Sequence, residues 1–434
     1  MIDAYAFYGC ENLSELTLGK NVSYISDSSF TSCTGLKSVT FNCISVSGND
    51  NAFYNCGGVT ALTLGDNVSS LNTALFSYFT ALDQITVDKD NTAYKSVDNC
   101  LIDTENNMLI LGCKNSVIPN DGSVTVIGPK AFKGCTGLTE ITVPGSIIRI
   151  EQDAFSGCTG LKGVYTSDLA KWCEINFCST ASNPIYYAKK LYLSGETVTS
   201  LIIPNTVTSL GNAFSGCETL LSVTIPESIV SISSDAFKGC NKLVEVINKA
   251  NFSVNVNDYG LNALEVHTEK SKVTENDGFY FYTVNGVSYL IDYRGISKEI
   301  TLPSDFDGQG YKIHKYAFYG QKDITRLTVP DSVTEIGDYA FAECDSLETV
   351  SIGSGVSSIG DHAFYECNGL KTVLIAVGLT SIGDYAFGNC GLEAVKYGGT
   401  KNQWSAITKG DLWDLCYSDG YYVSSYSLSY NVSL

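Results

Sequence analysis

Histidine occurs three times in the 434 residues, methionine twice and tryptophan three times, and Lys plus Arg total 27 against 46 for Asp plus Glu. Each shortage removes a class of activity. His267, His314 and His362 lie far apart and no Cys-x-x-Cys occurs, so neither a histidine-based catalytic triad nor a zinc site can be read locally. The deficit of basic side chains leaves a formal charge of −19. Such a surface repels phosphate backbones and anionic headgroups, and nucleic acid is not an expected partner. No run reaches the ~18 apolar residues of a membrane span, so no membrane insertion is expected. Phosphate-cradling glycine motifs and Gly-x-Ser-x-Gly are missing as well. The acidic loops Asp88-x-Asp90-Asn91 and Asp305-x-Asp307-Gly308 offer oxygen atoms but complete no EF-hand spacing. No enzyme activity, metal or cofactor is expected.

Apolar material is plentiful, at 44% hydrophobic and 11% aromatic residues, and it is ordered by a period. Phe recurs at Phe7, Phe30, Phe53, Phe76, Phe132, Phe155, Phe214, Phe237, Phe318, Phe341, Phe364 and Phe387, after a small residue everywhere but at Phe76, where Leu75 precedes it. Eight of the eleven intervals are 23 residues and the others are 56, 59 and 81. One unit runs Ala131-Phe132, Cys135, Leu138, Ile141, Val143-Pro144, Ile147, Ile150. Steps of three and two fit neither a long helix nor a simple strand; they fit a coil that keeps turning its apolar side inward, as in a leucine-rich repeat. Pro119, Pro144, Pro204, Pro226, Pro303 and Pro330 each follow the last apolar residue of the expected strand, where a missing N–H ends ladder pairing without interrupting it. A second apolar pair, such as Val333 and Ile336, falls on the return path.

The run from Ile336 to Ile352 reads Ile-Gly-x-x-Ala-Phe-x-x-Cys-x-x-Leu-x-x-Val-x-Ile, and it resembles the BspA-like bacterial surface leucine-rich repeats. The resemblance covers twelve units and most of the chain. It implies a mainly β repeat solenoid in which coils of about 23 residues stack a parallel sheet. It also implies an adhesive or ligand-binding role at the cell surface or in secreted form, with host or neighbouring-cell proteins or glycans as partners. No signal peptide or anchor reads from the chain itself. A structural spacer within a larger surface protein and an intracellular interaction scaffold are the alternatives.

The expected organisation is one solenoid over 1–434, interrupted at about 88–122, 165–190 and 249–299 and capped at about 396–434. Ser96–Ile102 and Met108–Leu111 around Glu105-Asn106-Asn107 predict a projecting β-hairpin, as do Phe279–Val284 and Ser288–Ile291 around Asn285-Gly286. Ser167 can cap a short helix through Trp172, and Lys401–Ile407 repeats its Trp and Ile spacing. Both helices are expected to cover the edge of the apolar stack, or to fill gaps where the coil is interrupted.

Ten of the sixteen cysteines occupy one slot of the period, from Cys10 to Cys390, with Phe79 and Gln321 in that slot elsewhere. An inward ladder of free thiols is expected, because in-register neighbours stand too far apart to bridge. Only Cys100 with Cys113 and Cys173 with Cys178 are candidates for bonding. The outward residue of each strand is the candidate ligand-binding position: Thr17, Thr40, Thr63, Thr86, Thr142, Thr224 and Thr328, continued by Ser351 and Leu374. Threonine also suits an exposed strand site for its own sake.

Overall fold

A computed structural model describes residues 1–418, 421–423 and 426–433, giving the backbone alone for Cys416–Ser418 and Tyr421–Val423. The part of the expected C-terminal cap that falls on 419–420, 424–425 and 434 lies outside these residues. The chain is a mainly β parallel solenoid of about 17 turns. It divides into two compact units, Met1–Cys240 with Asn248–Asn262, and Asn241–Ile247 with Ala263–Leu434.

In the first unit Glu15–Leu18, Ser38–Phe41, Ala61–Leu64 and Gln84–Val87 pair in parallel, each residue facing its equivalent 23 positions on. Alternation places Val39 and Phe41 in the core and leaves Ser38 and Thr40 half-buried on the other face. The return path differs from expectation. Tyr24–Ile25, Ser45–Gly48 and Ser70–Leu71 form a second parallel sheet, as do Tyr311–Ile313, Val333–Ile336, Ser358–Ile359 and Ser381–Ile382 in the second unit. A coil that repeats its length repeats its whole backbone, so the return path meets partners for its N–H and C=O groups just as the first strand does.

Between the sheets the phenylalanines stack. In the first unit Phe7, Phe30 and Phe53 lie 5.1 and 5.0 Å apart with rings 3° and 6° from parallel. In the second, Phe318, Phe341, Phe364 and Phe387 follow at 4.7, 5.1 and 5.0 Å. The cysteine slot owes its chemistry to this column. Cys33, Cys56, Cys158, Cys240, Cys344 and Cys367 each donate Sγ–H to the carbonyl of the phenylalanine 26 residues earlier, at 3.0–3.3 Å. Gln321 does the same work with its amide, donating to Tyr293 O at 2.9 Å. The fifteen cysteines described here are free thiols, Cys100, Cys113, Cys173 and Cys178 among them. Burial pushes the Cys56 thiol up to about 11 and that of Cys158 up to about 12, so they stay protonated.

The insertions wind into the solenoid instead of projecting from it, which is why the turns outnumber the twelve regular units. The first is a three-stranded meander, Tyr94–Val97, Cys100–Asp103 and Met108–Leu111, because Asp98 and Asn99 both take positive φ and turn the chain inside the segment expected to be one strand. Its last strand joins Val126–Ile127 in parallel. Phe279–Val284 and Val287–Tyr293 do form the expected hairpin, with Asn285 at φ 50° and Gly286 at 76°. The hairpin is nevertheless built in: Tyr289 and Leu290 pair with Lys312 and Ile313, and Phe281 and Tyr282 are buried.

The helix Leu169–Glu174 is capped by Asp168 and not by Ser167; the Asp168 carboxylate accepts from Lys171 N. Trp172 is buried in the interrupted coil and donates its indole N–H to Ala213 O at 3.1 Å, so this helix fills a gap. Lys401–Ala406 carries a Thr400/Gln403 capping box, and its Trp404 packs against Tyr397 and Trp413.

Candidate functional site

All seven predicted threonines stand on first-sheet strands, exposed or half-buried, but they do not make one stripe. Thr17, Thr40, Thr63 and Thr86 face one another in register across four coils. Thr142 belongs to a separate sheet, where its neighbour is Tyr165 and the next is Tyr192. Thr224 stands beside Ile202, which is 67% exposed. In the second unit Thr328 lies between Thr301 and Ser351, followed by Leu374 and Lys396.

Tyr165 and Tyr192 went unread in the sequence. Both occupy the outward slot, and their rings stack at 4.5 Å and 11°. The 27-residue step between them falls on the second insertion, which hides the equivalence; Leu191-Tyr192-Leu193 carries a strand's alternation and is the signal that was available. Burial, then the Glu140 carboxylate, pushes the Tyr165 phenol above its usual range.

A second outward column runs along the corner of the second unit. Tyr316, Tyr339, His362 and Tyr385 each sit at φ between 51° and 61° and stack at 5.1, 4.7 and 5.2 Å. His362 thus serves as one more ring in a tyrosine column. Beside it Asp338, Asp361 and Asp384 each accept the backbone N–H of the residue one coil on, Asp361, Asp384 and Asp411, at 2.6–2.9 Å.

Two buried charged clusters hold the second unit together. Glu245 has no exposed side-chain surface; His267 Nε2 bonds its Oε1 at 3.0 Å, Lys272 N donates to the same oxygen, and Ser271 Oγ donates to Oε2. Because Glu269 N donates to His267 Nδ1, the ring proton sits on Nε2. Lys242 donates to Asp292 at 2.6 Å and to Ala317 O, and Arg294 holds the other Asp292 oxygen. These groups tie the third insertion to the coil before it, and no local spacing announces them. The acidic loops serve their own turns: Asp88 accepts from Asp90 N and Asp305 from Gly308 N. Among the described residues no three His, Cys, Asp or Glu converge as a metal site, and no helix is long and apolar enough to cross a membrane.

The chain matches the profile described as a BspA type leucine-rich repeat region (6 copies) over residues 1–121, 109–191, 187–284 and 293–406. It belongs to the BspA-type leucine-rich-repeat proteins. No curated protein matches its sequence. Among solved structures, this BspA-type chain is similar to a leucine-rich cell surface protein from Faecalibacterium prausnitzii, at 20% identity over 91% of this chain and 90% of that one, with a TM-score of 0.31. A leucine-rich repeat protein from Bacteroides ovatus is 20% identical over 98% and 86%, with a TM-score of 0.30. The pneumococcal vaccine antigen PcpA is 16% identical over 94% and 80%, with a TM-score of 0.28.

Proposed function

We propose that this chain is a non-enzymatic binding or adhesion module of a cell surface, recognising protein or glycan ligands through the outward slots of its first sheet. The observation that carries the reading is the register of those slots. Thr17, Thr40, Thr63 and Thr86 repeat at the strand spacing of ~4.8 Å, giving a rigid row of hydroxyls on solvent-facing strands. Membership of the BspA type supports it, since solenoid proteins of this kind use extended repeat surfaces for contact. The acidic balance favours neutral or basic ligands over phosphate-rich ones.

The test is a screen of the full chain against immobilised glycans and extracellular proteins, repeated with a Thr40→Lys, Thr63→Lys, Thr86→Lys chain. Saturable binding that disappears in the substituted chain is the expected result. A chain that binds nothing in either form overturns the reading and leaves the spacer role.

A further inference from the structure

The sheet Glu140–Thr142, Gly163–Thr166, Leu191–Leu193 and Glu196–Thr197 differs from every other first sheet of the described residues in what its solvent face carries. In register across its four strands stand Thr142, Tyr165, Tyr192 and Thr197. Two large rings take the slot that Thr17, Thr40, Thr63 and Thr86 hold in the first four coils, although Ile141, Val164 and Leu191 already supply the buried side. Facing Glu140 in the register is Gly163. A Cβ there would come within 3.0 Å of Tyr192 Cε2 and 3.1 Å of Tyr165 Cε2, so the rings lie back over a position that only hydrogen leaves free. The last strand returns antiparallel through Ser194 and Gly195, both at positive φ, and closes the row at Thr197. The row is therefore bounded, about 14 Å long at three strand steps.

The rings stack on each other at 4.5 Å, so each keeps one outer face that is flat and electron-rich, Tyr165 toward the strand of Glu140 and Thr142 and Tyr192 toward Thr197. That combination matches a pyranose, whose axial C–H groups lie on an aromatic face while its equatorial hydroxyls reach polar groups at the rim. Protein hot spots favour a different arrangement, an anchor sunk in a desolvated pocket. A net charge of −19 disfavours sialylated or sulfated sugars. Resting on the binding-module reading above, we propose that Glu140, Thr142, Tyr165, Tyr192 and Thr197 form a binding site for a short neutral oligosaccharide.

The experiment applies the full chain to an array of neutral gluco-, xylo-, chito- and lacto-oligosaccharides with sialylated and sulfated counterparts. Tyr165→Ala, Tyr192→Ala, Tyr165→Phe, Glu140→Gln and Thr40→Lys chains follow, each checked by circular dichroism. Expected is saturable binding of a neutral series, weakened about tenfold or more by either alanine, largely kept by Tyr165→Phe, weakened by Glu140→Gln and unchanged by Thr40→Lys. If an alanine chain fails to fold, Glu140→Gln and Tyr165→Phe on folded chains decide the matter. Neutral-sugar binding that ignores both Tyr and Glu140 changes overturns the site, as does a preference for the anionic series. A bound protein, lost with Thr40→Lys and no sugar bound, overturns the oligosaccharide while leaving the module reading intact. Silence toward every ligand overturns both.

Discussion

The unbroken run from Phe318 to Phe387 and the break between Phe79 and Phe132 solve the same problem by different means. In the run, identical residues one coil apart satisfy each other: rings stack face to face, thiols reach the preceding phenylalanine carbonyl, and aspartates hold the next coil's N–H. Gly360 is required there because a Cβ would meet Asp338 N at 2.7 Å. At the break no coil follows at the right distance. The edge strand Gln84–Val87 is closed by side chains instead, Ile85 N donating to Asn99 Oδ1 and Val87 N to Ser96 Oγ. Ser116 then accepts from Cys113 N and donates to Asn99 O. Phe79 meets Phe53 edge-on at 70°, and a cleft of about 160 Å³ lined by Phe76, Phe79, Cys113 and Cys135 remains. Periodicity supplies partners without design of each one; its interruption demands particular residues.

The largest expected effect separates the two regions directly. Phe341→Ala removes a ring stacked on both faces and should cost ~3–5 kcal/mol. Phe79→Ala borders an existing cleft, where one side already lacks contacts, and should cost less, ~3 kcal/mol or below. Chemical denaturation of both chains checks this; equal losses would abolish the distinction.

The same distinction explains what could be read in advance. The period exposes every member of a column, so Phe341, Cys344 and the outward threonines are legible from spacing alone. It could not show that Val333–Ile336 is itself a strand, because two apolar residues three apart fit a loop equally well. Partners across an insertion carry no spacing at all: Lys242 finds Asp292 fifty residues away, and Tyr165 finds Tyr192 across an irregular coil. Even Asp98-Asn99, a turn by its chemistry, was masked by the apolar residues that flank it.

A second effect arises where the run begins. His314 takes the slot filled by Gly337, Gly360 and Gly383 in the following coils. It is buried against Tyr289 with Lys315 beside it, and burial, then the lysine charge, lowers it to about 4. Unfolded, the imidazole takes a proton near 6.5. Between those values the unfolded chain binds more protons than the folded one. Stability from this group is therefore complete above pH 6.5 and falls as the pH drops toward 4, by roughly 3 kcal/mol. His314→Phe should flatten that window in urea melts taken at several pH values. An unchanged slope would mean that the first coil of the run is as open as the break.

The smallest effect tests what the thiol column contributes. Cys367 is buried and donates to Phe341 O at 3.1 Å, whereas Cys10 is exposed. Cys367→Ala loses a weak hydrogen bond and a sulfur's volume, about 1–2 kcal/mol together, and Cys10→Ala should cost close to nothing. Serine divides the two contributions. If the bond to the carbonyl matters more, Cys367→Ser, with a better donor on a shorter arm, should be milder than Cys367→Ala. If filling apolar space matters more, serine should be worse, because it buries a hydroxyl and still leaves the sulfur's volume empty. Gln321, which reaches Tyr293 O with a full amide donor, favours the bond. Hydrogen exchange at the 364–370 turn in the three chains would decide it, since that turn alone reports on the coil where the sulfur sits.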